Sequence, residues 1–346
     1  MLHWKDLTGL SDEQLGALDV AEVNLACAAD LPDAPTAAQA AECIARLNHY
    51  AKCVRHFTDK KWPNFVKLPQ YFDNSEGKFR IVAMLQLLRQ QFGVRYDPAK
   101  IPVDVPLGTA GSFIHGALLG EGGTCASLPV VYAAVGRRLG YPLKLARTMN
   151  HCFTRWDDPK GERFNIEVSD DTWDTVPDDY YRTGRHAFPP EAERCTNLLK
   201  SQTPRQELSE FLVKRGYCWL ECKNHRRAAE AFAWSWLLSP NDALVLHRLV
   251  KTTDEWAIRL HRLQPPGFPP LHFSWPPRRF PPALPLQVEK NILYLEALEE
   301  ILVNRADLHG LWWMPMRQGR PVRPRPLAAS VGWRLSGEIN LNFMQG

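Results

Sequence analysis

The chain has no apolar run of the roughly 18 residues that a membrane-spanning helix needs, so no such helix and no membrane partner are expected. It has no dense basic block either. The formal net charge is only +4 and is spread along the sequence, with one loose cluster (Arg317, Arg320, Arg323, Arg325) broken by prolines. That balance excludes nucleic acid as an expected partner. The start, Met1-Leu2-His3-Trp4-Lys5-Asp6, lacks the basic and then apolar pattern of an export signal. Cysteine is present but forms no compact framework: the eight residues (27, 43, 53, 125, 152, 195, 218, 222) are scattered. They read as reduced thiols of a cytoplasmic protein.

A length of 346 residues allows two or three domains. Residues 1–105 read as a helical region. Ala21 to Ala29 is rich in alanine, Ala37 to His56 carries Ala40, Cys43, Ile44, Leu47, Tyr50, Ala51 and Val54 at helical spacing, and Phe79 to Phe92 repeats the pattern. Tyr96-Asp97-Pro98 and Pro102–Pro106 then predict an extended loop. Residues 106–190 carry the chemistry. Residues 191–262 return to helix, and over Leu208 to Pro240 the positions of Gly216, Trp219, Ala228, Phe232 and Pro240 fit one tetratricopeptide unit as well as a plain helical hairpin. Either way the pair must dock to bury its apolar face. From Pro265 to Pro285 nine prolines interleave with aromatics, which excludes helix and predicts a linker over 263–286 laid on the surface. Residues 287–346 supply a further helix, Val288 to Asn304, and a tail with Trp312, Trp313 and Trp333.

The central signal is Gly122-Gly123-Thr124-Cys125-Ala126-Ser127-Leu128-Pro129. The glycines permit a tight turn and Pro129 belongs in a first helical turn. Leu128, Val131, Tyr132, Val135 and Leu139 continue as a buried stripe, and Gly140 followed by Pro142 ends it. A helix is thus predicted to open within about two residues of Cys125, where free backbone N–H groups favour thiolate and can hold an oxyanion.

Leu143 to Thr148, Asn150 to Asp157 and Arg163 to Val168 read as three strands, the last two joined by the turn Asp158-Pro159-Lys160-Gly161. A turn centred on Pro159 sets His151 opposite Glu167 and Phe153 opposite Asn165. Trp156, Phe164, Ile166 and Val168 then face a core, while His151, Asn165 and Glu167 share the other face. An opposed carboxylate would fix the tautomer of the imidazole.

The segments GGTCASLPVVYAAVGRRLGYPL, NHCFTRW and RFNIEV resemble the transglutaminase-like superfamily, and more narrowly a bacterial-type branch that places tetratricopeptide-like helices after the core. The likeness is good over Gly122 to Val168 and looser on either side. It implies an α+β fold: a papain-like core with a helix-start cysteine packed on a small antiparallel sheet, flanked by all-α regions. It implies Cys125 as nucleophile, His151 as base and Glu167 as acid; separately, no cofactor and no metal are expected. Glu167 stands where the family usually has Asp, and Asn165 is the alternative third member, since papain-like relatives use an amide there. The implied chemistry is acyl transfer on an amide through a Cys125 thioester, as peptidase, amidase, deamidase or transglutaminase. The alternative class is a binding scaffold that has kept the geometry without the activity. A protein or peptide substrate is expected, with the C-terminal helices or the proline-rich arm as a surface for a protein partner. Three further residue sets are weighed. Cys218, Cys222 and His225 have partial metal-ligand spacing but fit helix packing better. His115 is a cleft candidate without a role, and His186 reads as solvated loop.

Overall fold

The computed structural model describes residues 2–100, 106–168, 175–264, 279–281 and 284–304. Short helices α1 (Trp4–Leu7), α2 (Asp12–Gly16) and α3 (Val20–Ala28) lead into the long α4 (Ala37–Lys67) and α5 (Glu76–Gln90). Then come α6 (Gly108–Ser112), α7 (Ile114–Leu119) and α8 (Leu128–Arg138). Strands β1 (Leu143–Arg147), β2 (Cys152–Asp157), β3 (Arg163–Ile166) and β4 (Thr175–Val176) follow, with α9 (Asp178–Thr183) and α10 (Pro190–Cys195). The remaining helices are α11 (Pro204–Glu221), α12 (His225–Leu238), α13 (Ala243–Leu263) and α14 (Leu286–Glu299). The fold is α+β, mostly helical, with one small antiparallel sheet in the order β1-β2-β3-β4. Among the described residues no helix is long and apolar enough to cross a membrane.

Helix α4 opens with a capping box between Thr36 and Gln39 and buries Ala40, Cys43, Leu47, Ala51 and Val54. It runs eleven residues past His56 and takes Pro63 inside it. The backbone bond that Pro63 forfeits is offset by an aromatic cluster, in which Phe65 stacks on Phe79 at 5.0 Å and Trp62 meets Phe79 edge-on at 5.8 Å. Those aromatics pin the last turns of α4 to the start of α5.

Helix α8 is the spine. Val131, Tyr132, Ala134 and Val135 are fully buried, and a Cβ on Gly136 would come within 2.2 Å of Leu143, so only glycine lets the helix close on β1. Leu143, Leu145, Trp156, Phe164 and Ile166 line the sheet face that joins α8 in the main core. The opposite face, with Ala146 and Phe153, packs on Tyr181, Phe188, Leu198, Leu199 and Leu244 in a second, smaller cluster. The free edge of β1 is covered, because Leu199 N–H donates to the Arg147 carbonyl and Gln202 N–H to that of Leu145, both at 2.9 Å.

The hairpin register differs from expectation. Arg155 pairs with Asn165, Thr154 with Ile166 and Trp156 with Phe164, a shift of two positions from the pairing a Pro159-centred turn gives. The turn is longer because Asp158 N–H donates to the Glu162 carbonyl and Gly161 adopts φ +106°. An even shift leaves every side chain on its expected face. The strands are also shorter: β1 ends at Arg147, β2 begins at Cys152 and β3 ends at Ile166.

Helices α11 and α12 form a close antiparallel pair. A Cβ on Gly216 would meet the Phe232 ring at 2.6 Å, and Phe232 and Trp219 are both buried. This pair does not stand apart: residues of α1, α3, α4, α8, the sheet, α11, α12, α13 and α14 share one continuous core. The expected regions 1–105, 106–190 and 191–262 are therefore packed on one another. Of the proline-rich arm, Phe280 is buried against Trp234 at 5.7 Å, and Glu289 accepts from the backbone N–H groups of Arg279 and Phe280. Residues 265–278 of the arm, and the tail with its arginine cluster and Trp312, Trp313 and Trp333, lie outside the described residues.

Candidate active site

Gly122 and Gly123 bring the chain into position at Cys125. Gly122 has φ +76°, and a Cβ there would lie 2.7 Å from Asp97, while a Cβ on Gly123 would strike Leu128 at 2.3 Å. Thr124 then organises the turn. Its hydroxyl donates to the Gly111 carbonyl at 2.6 Å and accepts from Ala126 N–H at 3.0 Å, and its own N–H donates to the Ser127 hydroxyl at 3.0 Å. Leu128 N–H already bonds the Thr124 carbonyl at 2.9 Å. Regular helix thus begins at Leu128, three residues after Cys125, but the helical bonding that leads into it starts at Thr124. Cys125 occupies its first turn, partly exposed.

His151 directly precedes β2, and its carbonyl accepts from Thr148 N–H at 2.7 Å, which extends the β1–β2 hairpin by one rung. Glu167 directly follows β3. His151 Nε2–H donates to Glu167 Oε2 at 2.7 Å, and both side chains are buried. With Nε2 committed, Nδ1 is the nitrogen available to the Cys125 thiol, which interacts with the same ring. The three residues read from the sequence are therefore together.

Asn165 is not part of this set. Its carbonyl oxygen accepts from Arg155 Nε at 2.6 Å and its amide donates to Asp178 at 2.9 Å. It serves an ion pair between buried Arg155 and half-buried Asp178 instead, closed at 2.5 Å. The two-position register shift is the cause, since it sets Asn165 across from Arg155.

Burial alone would push the Cys125 thiol up, but the His151 ring beside it, helped by the Lys214 charge and the Cys152 backbone, brings it below its ordinary value of 9.0. For His151 burial works against protonation, yet Cys125 and Glu167 outweigh it and raise the imidazole to about 9. Both shifts run in the direction that favours a thiolate beside an imidazolium. Cys27, by contrast, is pushed up to about 12 by burial, and Cys43 and Cys218 to about 11.

Several site residues escaped the sequence. Tyr181 on α9 donates to the same Glu167 oxygen at 3.0 Å and stacks on Phe153 at 4.0 Å. Tyr96 is held by a two-bond bridge to Gly123, which sets its hydroxyl near the backbone of Cys125. His186, expected in solvent, lies flat on His151 with ring centroids 3.9 Å apart at 14°. Burial and the charge of His151 lower His186 to about 4, so it stays neutral at pH 7. No periodicity marks any of these, because each belongs to a loop or a short helix placed by tertiary packing.

The ligand atoms of His151, Glu167 and His186 lie within 4.8 Å of one another. The two rings are stacked, however, so their in-plane lone pairs run side by side and do not converge on one tetrahedral ion. Cys218 contacts the Gly108 carbonyl at 3.6 Å, Cys222 is exposed, and His225 opens α12, so these three do not gather either. His115 is buried in α7, burial lowers its imidazole below the ordinary value, and neither ring nitrogen has a hydrogen-bond partner among the described residues. No family model matches this chain, and neither the curated proteins nor the solved structures contain a match.

Proposed function

We propose that the protein is a transglutaminase-like cysteine enzyme with a papain-type core, which transfers an acyl group from an amide through Cys125. One observation carries the reading: His151 bonds Glu167 through Nε2 at 2.7 Å while its ring also engages a thiol in the first helical turn before α8. A structural cysteine gains nothing from such a partner.

In this scheme the Cys125 thiolate attacks the amide carbonyl carbon, and the negative charge moves to the carbonyl oxygen. That oxygen forms beside the backbone of Cys125 in the turn that leads into α8, with the Tyr96 hydroxyl close to the same backbone. The C–N bond then breaks as His151 delivers its Nδ1 proton to the leaving nitrogen, which departs as an amine. An acyl thioester remains on Cys125. Water or a second amine attacks it, His151 accepts the proton, and the thiolate is expelled. Glu167 keeps Nε2 protonated and stabilises the imidazolium at both stages. Tyr181 holds the carboxylate in place.

Protein or peptide amides are the proposed substrate class. The test is trapping: incubation with activated amides or esters and intact-mass detection of a covalent adduct, absent in Cys125→Ala. Absence of any adduct in the native protein across a broad acyl-donor panel would count against the reading.

A further inference from the structure

Helices α11 and α13 lie outside the Cys–His–Glu core, yet both send a cation towards it. A small cleft under the start of α8 is lined by Ala126, Cys152, Glu210, Phe211 and Lys214. Lys214 comes from α11, and Ala126 is the neighbour of Cys125. Arg248 comes from α13, within Coulombic reach of Lys214, and its guanidinium approaches the Met149 carbonyl, two residues before His151, at 3.4 Å.

The carboxylates nearby are already taken. Arg147, fully buried at the end of β1, pairs with Glu210 at 2.6 Å and with Asp242 at the head of α13. Among the described residues neither Lys214 nor Arg248 makes an ion pair. Against burial, Cys152, Glu210 and Cys125 favour the charged form of Lys214, but its ammonium donates no hydrogen bond among the described residues. Arg248, held by the Met149 carbonyl and over the Tyr217 ring, keeps its buried Nη1 unbonded. Donors left open in this way are suited to a ligand that accepts from them. Lys214, whose charge acts on Cys125, and Arg248, two residues from His151 through Met149, can together receive an anion. The ammonium can act as a point charge and the guanidinium as a directional donor.

We propose that Lys214 and Arg248 form an anion-reading subsite beside Cys125, and that the amide substrate carries a carboxylate close to the bond that is cleaved. This rests on Cys125 being the nucleophile. It gives the α11–α13 region a role in substrate selection, since α11 brings Lys214 to the cleft and α13 brings Arg248 to the backbone just before His151.

A pair of alkylating reagents separates this role from simple support of the thiolate. Iodoacetate and iodoacetamide react with the same thiolate, so any change in thiolate content alters both rates in step. Only recognition of the carboxylate alters their ratio. The second-order rates at Cys125 are measured by peptide mass mapping at pH 7 and normalised to the ratio of a free small thiol. The native protein is expected to favour iodoacetate. Lys214→Met should lower the normalised ratio about fivefold, on the scale of one partly screened charge at short range. Lys214→Arg should keep it, Arg248→Met should lower it by a smaller factor, and added salt should compress it in the native protein. An unchanged ratio in Lys214→Met and Arg248→Met, with Cys125 still reactive, overturns the subsite and leaves the nucleophile standing. No labelling of Cys125 by either reagent in the native protein removes the nucleophile and the subsite together.

Discussion

Glu167 accepts a 2.7 Å hydrogen bond from His151 although the hairpin does not set the two residues directly opposite each other. The pairing that sets Asn165 across from Arg155 makes them diagonal neighbours, a separation that a long side chain spans and a short one does not. This gives the glutamate a physical reason. The extra methylene relative to aspartate covers the diagonal, and Tyr181 fixes the carboxylate once it is there. Glu167→Gln keeps the shape and removes the charge. Turnover, or the alkylation rate of Cys125, should fall by about two orders of magnitude, the scale of a lost general-base partner. Glu167→Asp should recover only part of it. Asn165→Ala should leave that rate nearer native while lowering thermal stability, because it strips a partner from buried Arg155. Equal losses of reactivity in the Gln and Ala variants would show that the glutamate has no special place.

The raised imidazole and lowered thiol set a pH window. Cys125 is deprotonated from somewhere below its ordinary 9.0 upwards, and His151 keeps its proton until about 9. Amide turnover, which needs both, should rise on the acid side with the thiol and fall through about pH 9 as the imidazolium is lost. Alkylation needs only the thiolate, so it should not fall at that limb. A turnover profile that keeps climbing past pH 9 would contradict the ion pair.

The helical pair makes a stability prediction. Phe232 is fully buried and lies against Gly216. Phe232→Ala should destabilise the protein by about 3–5 kcal/mol in denaturant unfolding, the usual cost of an emptied aromatic site. Gly216→Ala should also destabilise, by overpacking, because the added methyl has nowhere to go but into the ring. A Phe232→Ala loss below about 1 kcal/mol would be at odds with this packing.

Much of this was legible in the sequence where local chemistry decides. The glycine pair, Thr124 and Pro129 declared the turn and the helix, and the alternation of Trp156, Phe164, Ile166 and Val168 declared the faces of the hairpin. The register was not legible, because it depends on whether Pro159 or Lys160 sits at the centre of the turn. Periodicity cannot see that choice, and a slip of two conserves every face. The preference for Glu167 over Asn165 rests on a register that sets Glu167 directly opposite His151, and the structure brings the two together on the diagonal instead. His186 and Tyr96 were invisible for another: each reaches the site through a loop or a backbone bridge distant in sequence. The extent of α4 was misread because Pro63 is a breaker in isolation, and only the aromatic cluster of Phe65, Phe72 and Phe79 overrides it.

The claim on which all the others depend is that Cys125 is an activated nucleophile. It is tested most directly by timed alkylation with iodoacetamide at pH 7, followed by peptide mapping of all eight thiols. Cys222 is the control for exposure, being the exposed thiol of the fold, and Cys27, Cys43 and Cys218 are the controls for burial. Cys125 should be modified first, at least tenfold faster than Cys222, and His151→Ala should abolish that lead. If Cys125 reacts no faster than Cys222 in the native protein, the thiol is not activated and the proposed chemistry does not stand.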